Sequence, residues 1–74
     1  MENAVAKVIT VIGSSSKSWE EAAAVAVAAA SKTLKGIHVA NVEELYMHID
    51  DGRITSYRAR IRLAFEYDRR YKKK

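Results

Sequence analysis

Seventy-four residues allow one small domain, and at this size a single hydrophobic core is marginal without disulfides, a metal or association. The chain has no cysteine, which removes disulfides, Cys-ligated zinc and cysteine nucleophiles, and its 49% apolar content is too high for a disordered chain. The +4 charge is unevenly placed: residues 1–67 carry four Lys and four Arg against eight acids, whereas residues 68–74, Asp-Arg-Arg-Tyr-Lys-Lys-Lys, carry five cations and one acid. A neutral domain over 1–67 with a basic tail over 68–74 is expected. No apolar run reaches membrane-spanning length, and MENAVAKVIT lacks the basic region and long apolar core of a secretory signal. The expectation is a soluble, cytoplasmic oligomer.

Residues 4–12, AVAKVITVI, are β-branched and apolar on both alternating sets, Val5, Ile9 and Val11 on one and Ala6, Val8 and Ile12 on the other. A strand of that kind is covered on both faces. Residues 13–18, GSSSKS, read as a polar loop. Ser18-Trp19-Glu20-Glu21 then reads as a capping box: the Ser18 hydroxyl accepts from the Glu21 N–H, and the Glu21 carboxylate reaches back to the Ser18 N–H. The helix should run from Trp19 to about Leu34 and stop at a left-handed Gly36, with Lys32 and Lys35 at its cation-favouring end. Trp19, Ala23, Ala26, Val27, Ala30 and Leu34 form its core stripe, flanked by Ala22, Val25 and Ala29.

Residues 37–50, IHVANVEELYMHID, form a second, long strand. Its apolar phase slips, odd at Ile37 and Val39, even at Val42, odd again at Leu45, Met47 and Ile49, which a bulge near Val42–Glu44 explains. Asp50-Asp51-Gly52-Arg53 is a hairpin signal, with Asp-Gly supplying positive φ angles. The third strand alternates cleanly: Tyr57, Ala59, Ile61, Leu63, Phe65 and Tyr67 on one face, Ser56, Arg58, Arg60, Arg62, Ala64 and Glu66 on the other. The fold class is therefore α+β, in the order β-α-β-β, with a three-stranded antiparallel sheet curled around one helix. One helix covers one face, so the other needs a partner, and copies of the same chain are the economical source.

Lys7-Val8-Ile9, Gly13-Ser14-Ser15, Ser18-Trp19-Glu20-Glu21-Ala22 and Ala30-Ser31-Lys32-Thr33-Leu34, in that order, resemble the first half of a dodecin. The long second strand, the Asp51-Gly52 hairpin, Tyr57-Arg58 and the closing strand through Phe65 resemble the second half. The resemblance spans roughly residues 5–67. It implies a hollow dodecamer, and in flavin-binding members paired flavins (FMN, FAD or riboflavin) stored between subunits without catalysis. In those members a Trp on the second strand stacks on the flavin ring and a Gln on the third bonds its edge. Counting from the hairpin puts Val39 at the Trp position and Arg58 at the Gln position. Valine has no π face and arginine only donates, so the fold carries over and the flavin contacts do not. A branch described as calcium dodecins is similar, with Val and Arg at these positions, which makes calcium the alternative ligand; no metal ligand is assigned residue by residue.

Other candidates weigh less. Arg58, Arg60 and Arg62 form a basic row, read as ion pairing between subunits with Glu43, Glu44 or Glu66 ahead of an anion-lined pocket. Adjacent strand residues point to opposite faces, so neither Glu43-Glu44 nor Asp50-Asp51 forms a calcium site alone. Asp50-Asp51 is better explained as turn chemistry. His38 and His48 share a strand but lack a third metal partner. Gly13 with Ser14, Ser15 and Ser16 lacks the Lys and repeated Gly of a phosphate loop. No nucleophile–base order is evident, so an enzyme is not expected. The tail cations, from Arg69 to Lys74, become multivalent on a shell, giving the alternative of a structural assembly that binds anionic partners. No specific nucleic-acid or membrane partner is expected.

Overall fold

A computed structural model describes residues 5–66 of the chain. The order is β1 (Ala6–Ser15), α1 (Trp19–Ser31), β2 (Ile37–Asp50) and β3 (Arg53–Glu66). The strands lie in the order β1-β3-β2, and both pairings are antiparallel. The β-α-β-β order and the antiparallel sheet match the expectation. The basic tail and the proposed domain boundary at 67/68 lie outside the described residues.

Cross-strand partners share a face, so the register defines two surfaces. The inner one, under the helix, joins Ile9, Val11 and Gly13 of β1 to Leu63, Ile61 and Ala59 of β3, and these to Ala40, Val42 and Leu45 of β2. Ala59, Ile61 and Leu63 are fully buried there against Ala22 and Ala26 of α1, with Ile9, Val11, Ala23, Val27, Ala30 and Ile37 packed around them. The clean alternation of β3 is thus the alternation of core and outer face. Ala22, placed on the flank by helical spacing, is at the centre of the contact.

Three local expectations need correction. The segment 13–18 is not all loop: Gly13, Ser14 and Ser15 pair with Ala59, Arg58 and Tyr57 and extend β1 by a further three residues. Gly13 allows this, because a Cβ there would lie 2.0 Å from the Ala22 carbonyl oxygen and 2.9 Å from Ala26 Cβ. The helix rests on that bare strand position. Second, Ser18 caps α1 through the Glu21 N–H (3.0 Å), as the motif requires, but Glu21 does not reach back. Its carboxylate instead accepts from the Ser15 hydroxyl (2.7 Å), whose oxygen accepts from the N–H groups of Lys17 (2.9 Å) and Ser18 (3.3 Å).

Third, α1 ends at Ser31, ahead of Leu34. The Thr33 and Leu34 N–H groups both turn back to the Ala30 carbonyl (3.2 and 2.9 Å), which the Thr33 hydroxyl also approaches (3.5 Å). Ser and Thr compete for backbone partners in this way and weaken a helix that polyalanine would continue. Gly36 is left-handed at φ 78°, as expected, but it turns the connector into β2 instead of closing the helix. Its carbonyl accepts from the Glu66 N–H (3.2 Å). Lys32 is the cap residue and Lys35 lies beyond the last turn.

The hairpin follows its sequence. Asp51 and Gly52 both have positive φ, 53° and 76°, the pair of values a two-residue type I′ turn demands. The bulge expected near Val42–Glu44 is present, and two further register shifts lie at Ile37/Val39 and His48/Ile49.

Candidate functional site

The middle bulge decides what the outer face carries. Val42 pairs with Ile61 and Glu44 with Arg60, leaving Glu43 as the extra residue. Both glutamates therefore reach the arginine row: Glu44 pairs with Arg60 at 3.1 Å, and Glu43 with Arg62. This corrects the rule that adjacent residues point apart, which a bulge suspends. It also places these two ion pairs within one chain, where pairing between subunits was expected. The phase slip was legible in the sequence, and its consequence for Glu43 was the part missed. Both pairs are open to solvent, Glu43 the least exposed of the four side chains, and are worth about 0.2–1 kcal/mol each. Glu44→Gln should accordingly cost no more than about 1 kcal/mol in chemical denaturation. A larger loss would show that the pair is sealed from solvent by another copy.

The outer face runs in rungs across β1, β3 and β2. Val8–Ala64–Val39 forms an apolar end; Thr10–Arg62–Asn41 and Ile12–Arg60–Glu44 form the charged middle; Ser14–Arg58–Tyr46 follows, then Ser56–His48. Val39 and Arg58 thus lie on the same face, as a shared pocket requires. Their rungs are six residues apart along β3, about 20 Å at strand spacing. One chain does not bring them together. His38 sits in the irregularity near the start of β2 and His48 near its end. Among the described residues, no group of three or more His, Asp or Glu side chains is placed to share a metal ion.

The inner face has its own opening. Helix α1 covers β1 and β3 and leaves much of β2 bare. A cavity of about 370 Å³ is lined by Trp19, Glu20, Ala23, Val42 and Leu45. Trp19 forms its wall: the indole N–H donates to the Tyr46 carbonyl (3.1 Å), and the ring meets Tyr57 edge-on at 5.2 Å between centroids. Trp19 is partly buried, and a tryptophan so placed usually finds such a partner for its N–H. Trp19 therefore ties the start of the helix to both strands of the hairpin, a role that helical spacing alone does not reveal. Val42 and Leu45 are 55% and 48% exposed, and on the outer face Val8 and Ile12 are 53% and 51% exposed. Apolar rows thus stay open on both faces of the sheet.

A sequence model of the family described as Dodecin matches residues 5–68. The chain belongs to the dodecin family. It is 42% identical over 62 residues to calcium dodecin of Mycobacterium tuberculosis, covering 84% of this chain and 87% of that protein. The solved structure of that relative, described as a calcium-chelating antigen with a novel calcium-binding site, superposes with a TM-score of 0.78 over 88% of this chain and 93% of its own. The dodecin of Streptomyces coelicolor, at 28% identity, superposes with a TM-score of 0.86 over 92% and 97% of the two chains. The three corrections made to the loop, cap and helix end leave this dodecin fold unchanged. Among the described residues of this dodecin, no helix is long and apolar enough to cross a membrane.

Proposed function

We propose that this dodecin is a non-catalytic, cytoplasmic binding protein, a homododecamer that holds a small ligand between its subunits. The observation that carries the reading is the separation of Val39 and Arg58. Both family contact positions face the same way, yet a ligand touching both must bridge different copies. The open apolar rows on both faces support the same assembly. Twelve chains of 8.3 kDa give a particle on the order of 100 kDa.

Calcium is the ligand this reading favours over FMN, FAD or riboflavin. Its support is the 42% likeness to calcium dodecin and the chemistry of the two contact positions. Val39 offers no ring to stack on a flavin, and Arg58 offers no acceptor to its edge. Calcium takes six to eight oxygens, and one chain does not cluster three carboxylates among its described residues. The described part of a single chain is thus not a ready-made calcium cage, and the reading places the ion where several chains meet. Native mass spectrometry with elemental analysis tests both claims together. Twelve chains with bound calcium are expected. A monomer near 8.3 kDa would overturn the assembly, and a calcium-free particle that gains none on titration would overturn the ligand.

The flavin site can be tested by rebuilding it. The unaltered protein should leave riboflavin and FMN fluorescence unchanged. Val39→Trp combined with Arg58→Gln should quench it, since stacking on an indole face returns along with the donor–acceptor edge. Quenching by the unaltered protein would reverse the ligand assignment.

A further inference from the structure

We propose that Asp51-Gly52, at the tip of the β2–β3 hairpin, is a site of spontaneous covalent modification, where aspartate converts through a cyclic imide to isoaspartate. The Gly52 backbone nitrogen attacks the side-chain carboxyl carbon of Asp51. A C–N bond forms, a C–O bond breaks, and the amide proton leaves with the displaced hydroxyl as one water. Water then adds to one of the two imide carbonyls. Addition at the side-chain carbonyl restores aspartate. Addition at the main-chain carbonyl leaves the chain running through the Asp51 side chain, longer by one carbon, with the former main-chain carbonyl as a free carboxylate. No oxidant, cofactor or enzyme enters the balance.

Both reacting groups are free in the folded chain. Asp51 and Gly52 are exposed, and the hairpin closes through the Asp50–Arg53 pair below them. Neither the Gly52 N–H nor the Asp51 carboxylate has a hydrogen-bond or ion-pair partner among the described residues. Most backbone N–H groups of a fold are held in such bonds, and this one is not. A side chain on the following residue crowds the ring closure. Gly52 has none, and nothing lies within 4 Å of where its Cβ would stand. Positive φ at both positions is what favours glycine in this turn, so the residue that builds the hairpin is also the least hindered nucleophile. The ladder is already irregular at His48/Ile49, so the rotation at Asp51 that attack requires stays local to the tip. Other candidates among the described residues are worse placed. Asn41 precedes the β-branched Val42 inside β2, and Asp50 is held in the ladder. The chemistry lies within one chain and rests neither on the calcium reading nor on the number of copies.

The test is ageing of the full-length protein at physiological temperature in mildly acidic buffer, read by mass spectrometry of the tryptic peptide 36–53. Methyl transfer from S-adenosylmethionine by an isoaspartate carboxyl methyltransferase gives a second readout. A product lighter by one water is expected at Asp51, followed by an isomer of unchanged mass that accepts a methyl group on its freed carboxylate. Gly52→Ala should slow the conversion severalfold, since a Cβ then crowds the attacking nitrogen. Asp51→Glu keeps the charge and should remove it, because a six-membered ring closes far more slowly. Asp51→Asn, which loses ammonia in place of water, should speed imide formation and stands in if Gly52→Ala disturbs the hairpin. A sample held unfolded in guanidinium gives the rate of the same sequence without the fold. Isoaspartate in the unfolded sample and none in the folded protein would overturn the site, because the turn or a covering copy would then protect it. An undiminished rate in Gly52→Ala, no gain in Asp51→Asn, or conversion at Asn41 ahead of Asp51 would overturn it equally.

Discussion

Gly13→Ala is expected to be the most destabilising single-methyl change in the chain. The added carbon would meet the Ala22 carbonyl oxygen at 2.0 Å and Ala26 Cβ at 2.9 Å. The first is backbone in the first turn of α1, so no rotamer change relieves it, and the helix has to lift from the sheet. Lifting it uncovers Ala59, Ile61 and Leu63 together, which are all fully buried in one contiguous cluster with Ala22 and Ala26. Overpacking costs 1–3 kcal/mol where side chains can yield. With backbone in the way, about 3 kcal/mol or more is expected, a large share of the ~5–15 kcal/mol a domain has. The melting temperature should fall by more than about 10 °C. Gly52→Ala is the matched control. Its φ of 76° strains any other residue, but nothing lies within 4 Å of the new carbon, so about 1 kcal/mol is expected. Thermal and chemical denaturation at equal chain concentration checks the order, because association shifts apparent stability. A Gly13→Ala protein more stable than Gly52→Ala would refute the close helix–sheet contact.

That contrast shows what a sequence reveals and what it conceals. Gly52 was legible, because Asp-Gly between two alternating runs has one common use. Gly13 was read as loop, because nothing local distinguishes a glycine that turns the chain from one that admits a helix lying 9–13 residues further along. Period-2 alternation gave the inner face of β3 residue by residue, since one side of that strand is core and the other is not. The phase slip in β2 showed that a bulge had to exist. It did not show that Glu43 and Glu44 would both turn to Arg62 and Arg60, because the direction of a bulged side chain follows from which strand lies opposite. The order β1-β3-β2 supplies that information, and it is a tertiary fact. The separation of Val39 and Arg58 was hardest to read for the same reason: it is set by register.

Leu45→Glu is expected to abolish assembly without unfolding the chain's own core. The described residues bury only two large apolar side chains completely, Ile61 and Leu63, and leave ten large apolar residues exposed. Five of these, Val39, Val42, Leu45, Met47 and Ile49, lie along β2, an edge strand of fourteen residues whose outer edge has no partner among the described residues. An uncovered edge that long is a template for pairing with another chain. Burying one Val, Leu or Met side chain is worth about 1.5–3 kcal/mol, so a few such contacts per chain outweigh the entropy lost on association only when none is turned into a charge. A glutamate at position 45 brings a carboxylate into the cavity beside Glu20 and Trp19. Burying it unpaired against a second copy costs more than the leucine contributed. Light scattering should show the particle replaced by species of one or a few chains, while far-ultraviolet circular dichroism retains the helix and sheet. Leu45→Met, which keeps volume and polarity, should leave the particle intact. Full-size particles from Leu45→Glu would show that this face looks onto solvent in the assembly, and the subunit contacts would then have to lie on the Val8 and Ile12 side of the sheet.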